Sequence, residues 1–361
     1  MKIWIATGGT GGHVFPALAV AEELARRHHR VIISSDARTM RMVKKNKPAR
    51  AGTAFVWASG VGGKERMLQL LALIKIGLSA VALGMRFMIF RPDRVVAFGG
   101  YASVPAVLAA RVWGIPTLLH EQNAAIGRAN KFALRRVDVL MTSFPAVAGM
   151  EDGRRKIEDG KLKVVYTGLP VRKEFMSPPL IPHPSSNIRL LVTGGSLGAQ
   201  VLDDVVPSSV VLIPASLKKK LFVVHQTRPE NVARLQRFYA GNAIKANVLP
   251  FINDMAGEIT AADLVIGRSG ASTVVELQTV GRSAILVPLG VNPDQAANAE
   301  SFAASGGGIA VAQSKFSEKW LSATLCELFE NPARLKKMAG KAKVPNDAVN
   351  KISDEILKRP V

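Results

Sequence analysis

Lys2–Gly12 reads KIWIATGGTGG, and Ile188–Gly198 reads IRLLVTGGSLG. Each is a short apolar run, then Thr-Gly-Gly, a hydroxyl residue, one variable position and another glycine. Helical spacing follows both: Val14, Leu18, Val20 and Leu24 after the first, Val201, Val205 and Val206 after the second. A strand that turns through glycines into a helix gathers bare backbone N–H groups and a positive helix end at one point, which suits phosphate. Two such turns half a chain apart predict two α/β domains, each with an anion site. Facing one cleft, they suit a reaction between two phosphate-bearing substrates.

At 361 residues the chain is long for one core, so two domains are expected. Apolar runs Ile3–Ala6, Val31–Ser34, Val95–Phe98, Thr117–Leu119, Val139–Thr142 and Val164–Tyr166 alternate with helical stretches, as parallel βα units do. Residues 177–187, SPPLIPHPSSN, carry four prolines and read as a linker. Strands resume at Leu190–Val192, Leu221–Val224, Ala246–Leu249, Leu264–Ile266 and Ala284–Val287. The division expected is 1–168 and 169–344, with a terminal helix in 345–361 that can pack back on the first domain.

An apolar content of 48% supports packed interiors and argues against disorder. The net charge of +21 is uneven: the first 170 residues hold 26 of the 48 Lys+Arg but only 11 of the 27 Asp+Glu. Such a field draws phosphorylated substrates, anionic lipid or nucleic acid. With 6% aromatics and no helix-turn-helix, RNP or zinc-finger pattern, nucleic acid is not the expected partner. Cys326, in LSATLCELF, reads as a small buried residue, which fits a reducing compartment, and residues 1–25 lack a signal-peptide pattern. Met67–Phe90 is long and apolar, yet Lys75 and Arg86 leave only ten uncharged residues between them, against about 20 for a bilayer crossing. Lys64, Arg66, Arg91 and Arg94 flank it. Two readings stay open: a helix packed on the sheet, or an apolar face within a cationic rim (residues 64–94) that rests on an anionic membrane.

The first loop, Gly8-Gly9-Thr10-Gly11-Gly12-His13, has Val14 where a dinucleotide fingerprint needs glycine, and neither loop ends in Gly-Lys-Ser/Thr. Asp36, after the second strand, would suit the ribose contact of an NAD enzyme and keeps that rival in play. His13 stands at the helix start where phosphate would lie, and an imidazole there suits a general base. Residues 98–105, FGGYASVP, form a third glycine turn, and His120-Glu121-Gln122-Asn123 follow another strand. Polar clusters at the C-terminal ends of parallel strands are where α/β folds place ligands. In Arg268–Glu276, RSGASTVVE, Glu276 either caps a helix with Thr273 or grips vicinal ribose hydroxyls. Gln295 and Asn298 lie in DQAANAE. There is no Asp-x-Asp, and the six histidines lack metal-ligand spacing, so no metal or cofactor is expected.

In order along the chain, GGTGGHVFPALAVA, GGYASVPAVLAA, LLHEQNAAIGRANK, YTGLPVR, VTGGSLGAQ, FINDM, RSGASTVVEL and DQAANAE resemble the MurG family of bacterial glycosyltransferases. That resemblance implies an α/β, GT-B architecture: two Rossmann-like domains with parallel sheets facing a deep cleft, acceptor on 1–168 and UDP-sugar on 169–344. It implies an inverting hexosyltransferase moving N-acetylglucosamine from UDP-N-acetylglucosamine to undecaprenyl-pyrophosphoryl-N-acetylmuramoyl-pentapeptide (lipid I). The product is lipid II for peptidoglycan synthesis, and the enzyme would be peripheral on the cytoplasmic membrane face. Thr10, Gly11 and Gly12 then border the donor and meet the acceptor diphosphate, with His13 the proposed base. Asn123, Arg172 and Ser196 match donor-contacting positions, and Ile252 the backbone that reads uracil. Ala271, Ser272, Thr273, Val274, Val275 and Glu276 match the ribose and phosphate segment, with Glu276 on the ribose hydroxyls; Gln295 matches the glutamine facing the sugar hydroxyls. Leu169, the missing glycine in HQTRPEN and Asp294 depart from the family pattern. The rivals are a UDP-sugar epimerase of the same architecture, a transferase for another lipid acceptor, and a non-catalytic basic protein bound to membrane or nucleic acid.

Overall fold

The computed structural model describes residues 1–59, 66–150, 161–178, 187–195 and 198–358. The chain divides into two units, Met1–Pro170 with Asn346–Val361, and Val171–Pro345.

In the first unit the strands are β1 (Lys2–Ala6), β2 (Arg30–Ser35), β3 (Gly52–Phe55), β4 (Arg94–Ala97), β5 (Thr117–Glu121), β6 (Val139–Thr142) and β7 (Lys163–Tyr166). The helices between them are α1 (Gly11–Arg26), α2 (Ala37–Asn46), α3 (Arg66–Phe90), α4 (Val104–Val112) and α5 (Arg128–Leu134). The sheet is parallel with order β3-β2-β1-β4-β5-β6-β7. Side chains alternate across it, so one strand feeds two cores. Ile3 and Ile5 pack with Val14, Leu18 and Leu24 of α1, whereas Trp4 packs with Leu83 and Phe87 of α3 and with Ala106 and Ala110 of α4.

The second unit repeats the plan with β8 (Ile188–Thr193), β9 (Leu221–Gln226), β10 (Lys245–Leu249), β11 (Leu264–Gly267), β12 (Ala284–Leu286) and β13 (Gly308–Ala310). Its parallel order is β10-β9-β8-β11-β12-β13. Its helices are α6 (Gln200–Leu212), α7 (Ala215–Lys218), α8 (Val232–Gly241), α9 (Met255–Ala261), α10 (Ala271–Val280), α11 (Pro293–Ala304), α12 (Glu318–Phe329) and α13 (Pro332–Ala342). The chain then returns to the first unit, where α14 (Ala348–Leu357) sets Ala348, Ile352 and Ile356 into the core beside α1. In both sheets the order reverses beside the strand that leads into a glycine loop, which is where this fold class opens a crevice for ligands.

Two strands carry no apolar run in the sequence. β3 and β13 are edge strands; β3 buries only Ala54, and β13 is three residues long with none fully buried. For Met67–Phe90 the reading of a helix packed on the sheet accounts for one stripe of side chains. One stripe of α3 (Ala72, Ile76, Leu83 and Phe87) is buried, with Phe87 edge-on to Trp4 at 4.9 Å. The opposite stripe leaves Leu70, Leu78, Val81, Met85 and Met88 exposed, and Ile89 is 89% exposed. By length and composition alone this helix could cross a bilayer. Its packed stripe ties it to the sheet instead.

Candidate active site

In the first unit, β1 ends at Ala6 and the chain passes through Thr7–Thr10 before α1 opens at Gly11, leaving first-turn N–H groups without intrahelical acceptors. The turn after β4 lies directly against it. A Cβ on Gly100 (φ +75°) would stand 2.6 Å from the carbonyl oxygen of Gly8, so only glycine lets the two loops touch. A Cβ on Gly99 would stand 3.0 Å from the His13 ring and 3.1 Å from Asn130 Oδ1, so His13 and Asn130 share one wall. His13 is half-buried, and its Nδ1 lies 3.1 Å from Thr10 Oγ1. Desolvation pulls its pKa down to about 4, so the ring is neutral at pH 7.

Behind this wall stands Glu121, a role the sequence did not reveal. Its buried carboxylate accepts four hydrogen bonds: Asn123 N (2.9 Å) and Nδ2 (3.3 Å) on Oε1, and Gly127 N (3.0 Å) and Asn130 Nδ2 (2.7 Å) on Oε2. Burial pushes its pKa up even so. The signal available was one acidic residue at a strand end; its partners lie up to nine residues on, and half of them are main chain. His120 Nε2 donates to Gly168 O at 2.9 Å, which makes Nδ1 the acceptor nitrogen. Burial also lowers that ring's pKa to about 4. Thr7 Oγ1, His120 Nδ1, Gln122 Oε1 and Asn130 Oδ1 are all buried without a protein partner. Asp36 caps α2, accepting from Thr39 N and Oγ1, and pairs with Arg38; those bonds account for it without a ribose.

In the second unit, Thr193 Oγ1 donates to Gln226 Oε1 at 2.6 Å and accepts from Gly195 N at 3.3 Å. Gly194 is fixed by closeness, since a Cβ there would meet Ala199 N at 2.3 Å. Ser196 lies outside the described residues. Beneath the loop, Asp203 accepts from His225 Nε2 (3.2 Å), Thr227 Oγ1 (2.6 Å) and Asn231 Nδ2 (2.9 Å), while His225 Nδ1 faces the Tyr239 hydroxyl at 2.9 Å. Burial raises the Asp203 pKa, and these hydrogen bonds outweigh it, leaving a net lowering.

Beside that loop, β11 leads into Arg268–Gly270 and the start of α10. Gly270 is the N-cap of α10, so Glu276 lies beyond the first turn and forms no capping box with Thr273. Instead its Oε1 accepts from Arg172 Nη2 (3.0 Å) and Nε (3.2 Å). Arg172 also stacks on Phe175, 4.9 Å from the ring centre. The Glu276 pKa is pushed up to about 7, because burial outweighs the arginine. Arg172 therefore reaches the carboxylate expected to hold ribose. Ala271, Ser272 and Thr273 form the open first turn of α10, whereas Val274 and Val275 point into the core and offer a ligand only backbone. Ile252 is likewise buried, past the end of β10. Gln295 is tied back to the β11 loop: its carbonyl accepts from Ser269 Oγ (2.7 Å) and its Oε1 from Leu289 N (2.9 Å). Asn123 belongs to the first unit, and Arg172, Ile252, Ala271–Glu276 and Gln295 to the second. No cluster of metal-ligating side chains occurs among the described residues.

Residues 3–142 match the glycosyltransferase family 28 N-terminal domain, and residues 189–356 match the family 28 C-terminal domain. A UDP-N-acetylglucosamine–N-acetylmuramyl-(pentapeptide) pyrophosphoryl-undecaprenol N-acetylglucosamine transferase from Rhodospirillum centenum is 37% identical, over 98% of this chain and 93% of its own. The protein of the same name from Nitrobacter winogradskyi is 37% identical over 99% and 97%. Among solved structures, Acinetobacter baumannii MurG superposes with a TM-score of 0.79 at 30% identity, covering 98% of both chains.

Proposed function

Because the chain belongs to glycosyltransferase family 28, and within it to the UDP-N-acetylglucosamine–muramyl-pentapeptide pyrophosphoryl-undecaprenol transferases, we infer that it makes lipid II. It moves N-acetylglucosamine from UDP-N-acetylglucosamine to the 4-hydroxyl of the N-acetylmuramoyl unit of lipid I. The observation that carries this reading is the duplication itself: each sheet sets a glycine turn and a helix start where its strand order reverses.

The acceptor hydroxyl attacks the anomeric carbon from the face opposite the diphosphate, the bond from that carbon to the phosphate oxygen breaks, and UDP leaves with inversion. His13 takes the hydroxyl proton on Nε2. The 3.1 Å contact between Nδ1 and Thr10 Oγ1 supports this: with Nδ1 as the donor, Nε2 carries the lone pair. Thr10, Gly11 and Gly12 offer backbone N–H groups to the acceptor diphosphate, and Glu121 keeps Asn123 and Asn130 in place through the hydrogen bonds described. On the donor side, the Ser196 loop and the first turn of α10 (Ala271, Ser272 and Thr273) take the charge of the leaving diphosphate, helped by Arg172. The Ile252 main chain reads uracil, and the backbone of Val274 and Val275 lines the nucleotide. Ribose hydroxyls displace Arg172 from Glu276 and favour its ionised form, which frees the guanidinium for phosphate. Gln295 faces the sugar hydroxyls. No metal or cofactor is assigned a step.

The exposed stripe of α3, from Leu70 to Ile89, supports a peripheral seat on the anionic cytoplasmic face of the bacterial membrane, apolar side chains in the interface and cations on the rim. Lys75→Glu combined with Leu78→Asp should release the protein from anionic vesicles while leaving turnover of a soluble acceptor intact; unchanged sedimentation refutes this seat. For the reaction, labelled UDP-N-acetylglucosamine with a lipid I analogue should give an acceptor-dependent, β-linked product. Conversion of the sugar without acceptor would show an epimerase instead.

A further inference from the structure

The N-terminal ends of β4–β7 lie at the opposite edge of the first sheet from the glycine loops, and a cavity of about 670 Å³ opens there. Among the described residues, Arg94, Arg111, Arg136, Lys161, Lys163 and Lys358 line it against two carboxylates, Asp138 and Glu355. Both carboxylates are engaged. Glu355 accepts from Lys163 Nζ and Lys358 Nζ, each at 2.6 Å, and Asp138 accepts from Thr117 N at 2.8 Å. Arg94 is only 8% exposed, yet its guanidinium donates to main chain alone, Asp93 O at 2.7 Å and Lys358 O at 3.1 Å, with no carboxylate partner among the described residues. A guanidinium withdrawn from water without a counter-charge is costly, and its remaining N–H donors call for an anion. Arg136 spends one donor on Phe132 O, and Arg111 stands exposed at the mouth. The ends of α4 and α5 would each favour one cation nearby. Lys163 and Lys358 answer to Glu355, and the three arginines still exceed what two helix ends ask for.

We propose that this cavity is a binding site for a phosphate-class anion, held by the forked donors of Arg94, Arg111 and Arg136 and by the Lys161 and Lys163 ammonium groups. Because α14 supplies Glu355 and its C-cap residue is Lys358, a ligand there fastens the returning C-terminal helix to the sheet. The site is independent of the reaction assigned above.

The test titrates pyrophosphate by calorimetry into the full chain saturated with UDP, at constant ionic strength set with chloride. Wild type should bind, and Arg111→Ser/Arg136→Ser should lose about tenfold or more in affinity, as loss of charge-assisted hydrogen bonds predicts. Any binding at the glycine loops is common to both proteins and cancels. The variant's thermal stabilisation by UDP reports its folding; should it fail to fold, Lys161→Gln is the substitute, with the same direction expected. An affinity for pyrophosphate within twofold of wild type overturns the proposal. Phosphatidylglycerol vesicles separate two sources of the same chemistry. If pyrophosphate competes wild type off the vesicles, the ligand is a lipid headgroup; if the variant loses pyrophosphate but sediments as before, it is a soluble phosphate. Absence of UDP binding would count against the transferase reading and leave this comparison intact.

Discussion

The two glycine loops begin alike and end on different foundations. Thr7 and Thr193 hold the same place in the motif. Thr193 bonds its hydroxyl to Gln226 and sits above an aspartate whose three donors are all in place. Thr7 has no partner for its hydroxyl, and His120, Gln122 and Asn130 each carry another buried polar atom without one. Buried polar groups are ordinarily satisfied, and exceptions collect where a protein has chemistry to do. Thr193 and Asp203 are thus finished pieces of scaffold. The first loop keeps hydrogen-bonding capacity in reserve beside His13 at the start of α1.

The largest effect that could break this contrast is on turnover. His13→Ala should lower kcat by about 10²- to 10⁴-fold with little change in the KM for UDP-N-acetylglucosamine, measured with a soluble acceptor analogue. Wild-type turnover would remove the first loop's claim to the reaction. With a pKa near 4, the ring also predicts that no acid limb from His13 appears above about pH 5 in a kcat/KM profile of the free enzyme.

Next come the glycines. Gly100→Ala drives a Cβ into the Gly8 carbonyl at φ +75°, and should cost about 3 kcal/mol in urea unfolding. Gly198→Ala, at φ +67°, meets the Arg228 side-chain stem, which can swing aside, so about 1–2 kcal/mol is expected. Equal losses would mean that the Gly100–Gly8 contact is no more tightly wedged than the Gly198–Arg228 one.

The threonines give the sharpest test. Thr193→Val leaves Gln226 without its bond and should cost about 1–2 kcal/mol, whereas Thr7→Val removes an unpaired hydroxyl and should be neutral or stabilising. A large loss at Thr7 would place a partner there and erase the difference in foundations.

Glu276 gives a pH signature confined to the second unit. Its pKa is raised to about 7, so the folded state keeps a proton that the unfolded state releases near 4.5. Stability is therefore favoured below about pH 4.5 and falls as pH rises through 7. Glu276→Gln should remove about 1–3 kcal/mol of that fall between pH 5 and pH 8, read by thermal melts. In wild type the KM for the UDP-sugar should drop across the same interval as the carboxylate ionises, and the variant should show a flat, roughly tenfold higher value.

What the sequence carried, it carried through local pattern. β1, β8 and their glycine turns announce themselves because apolar side chains, glycines and helical spacing fall within some twenty residues. β3 and β13 did not, because an edge strand buries little and needs no apolar run. His13 stood out at a helix start that nothing apolar explained. Its shared wall with Asn130 rests on the contact between two turns about ninety residues apart, and the Arg172–Glu276 pair spans 104 positions. The same distance effect hid Glu121, whose meaning lies in the donors that converge on it. For α3, composition gave an apolar helix but could not say which stripe the sheet would claim.

The docking of α14 on α1 also governs the order in which a nascent polypeptide can mature. The first unit is interrupted at Pro170 and completed only by Asn346–Val361, so a ribosome has made the entire second unit before the groove awaiting Ile352 and Ile356 can be filled. Maturation should therefore run against the usual amino-to-carboxyl sequence. A chain truncated after Pro345 should yield a protease-resistant second unit attached to an amino-terminal unit that is still open to digestion.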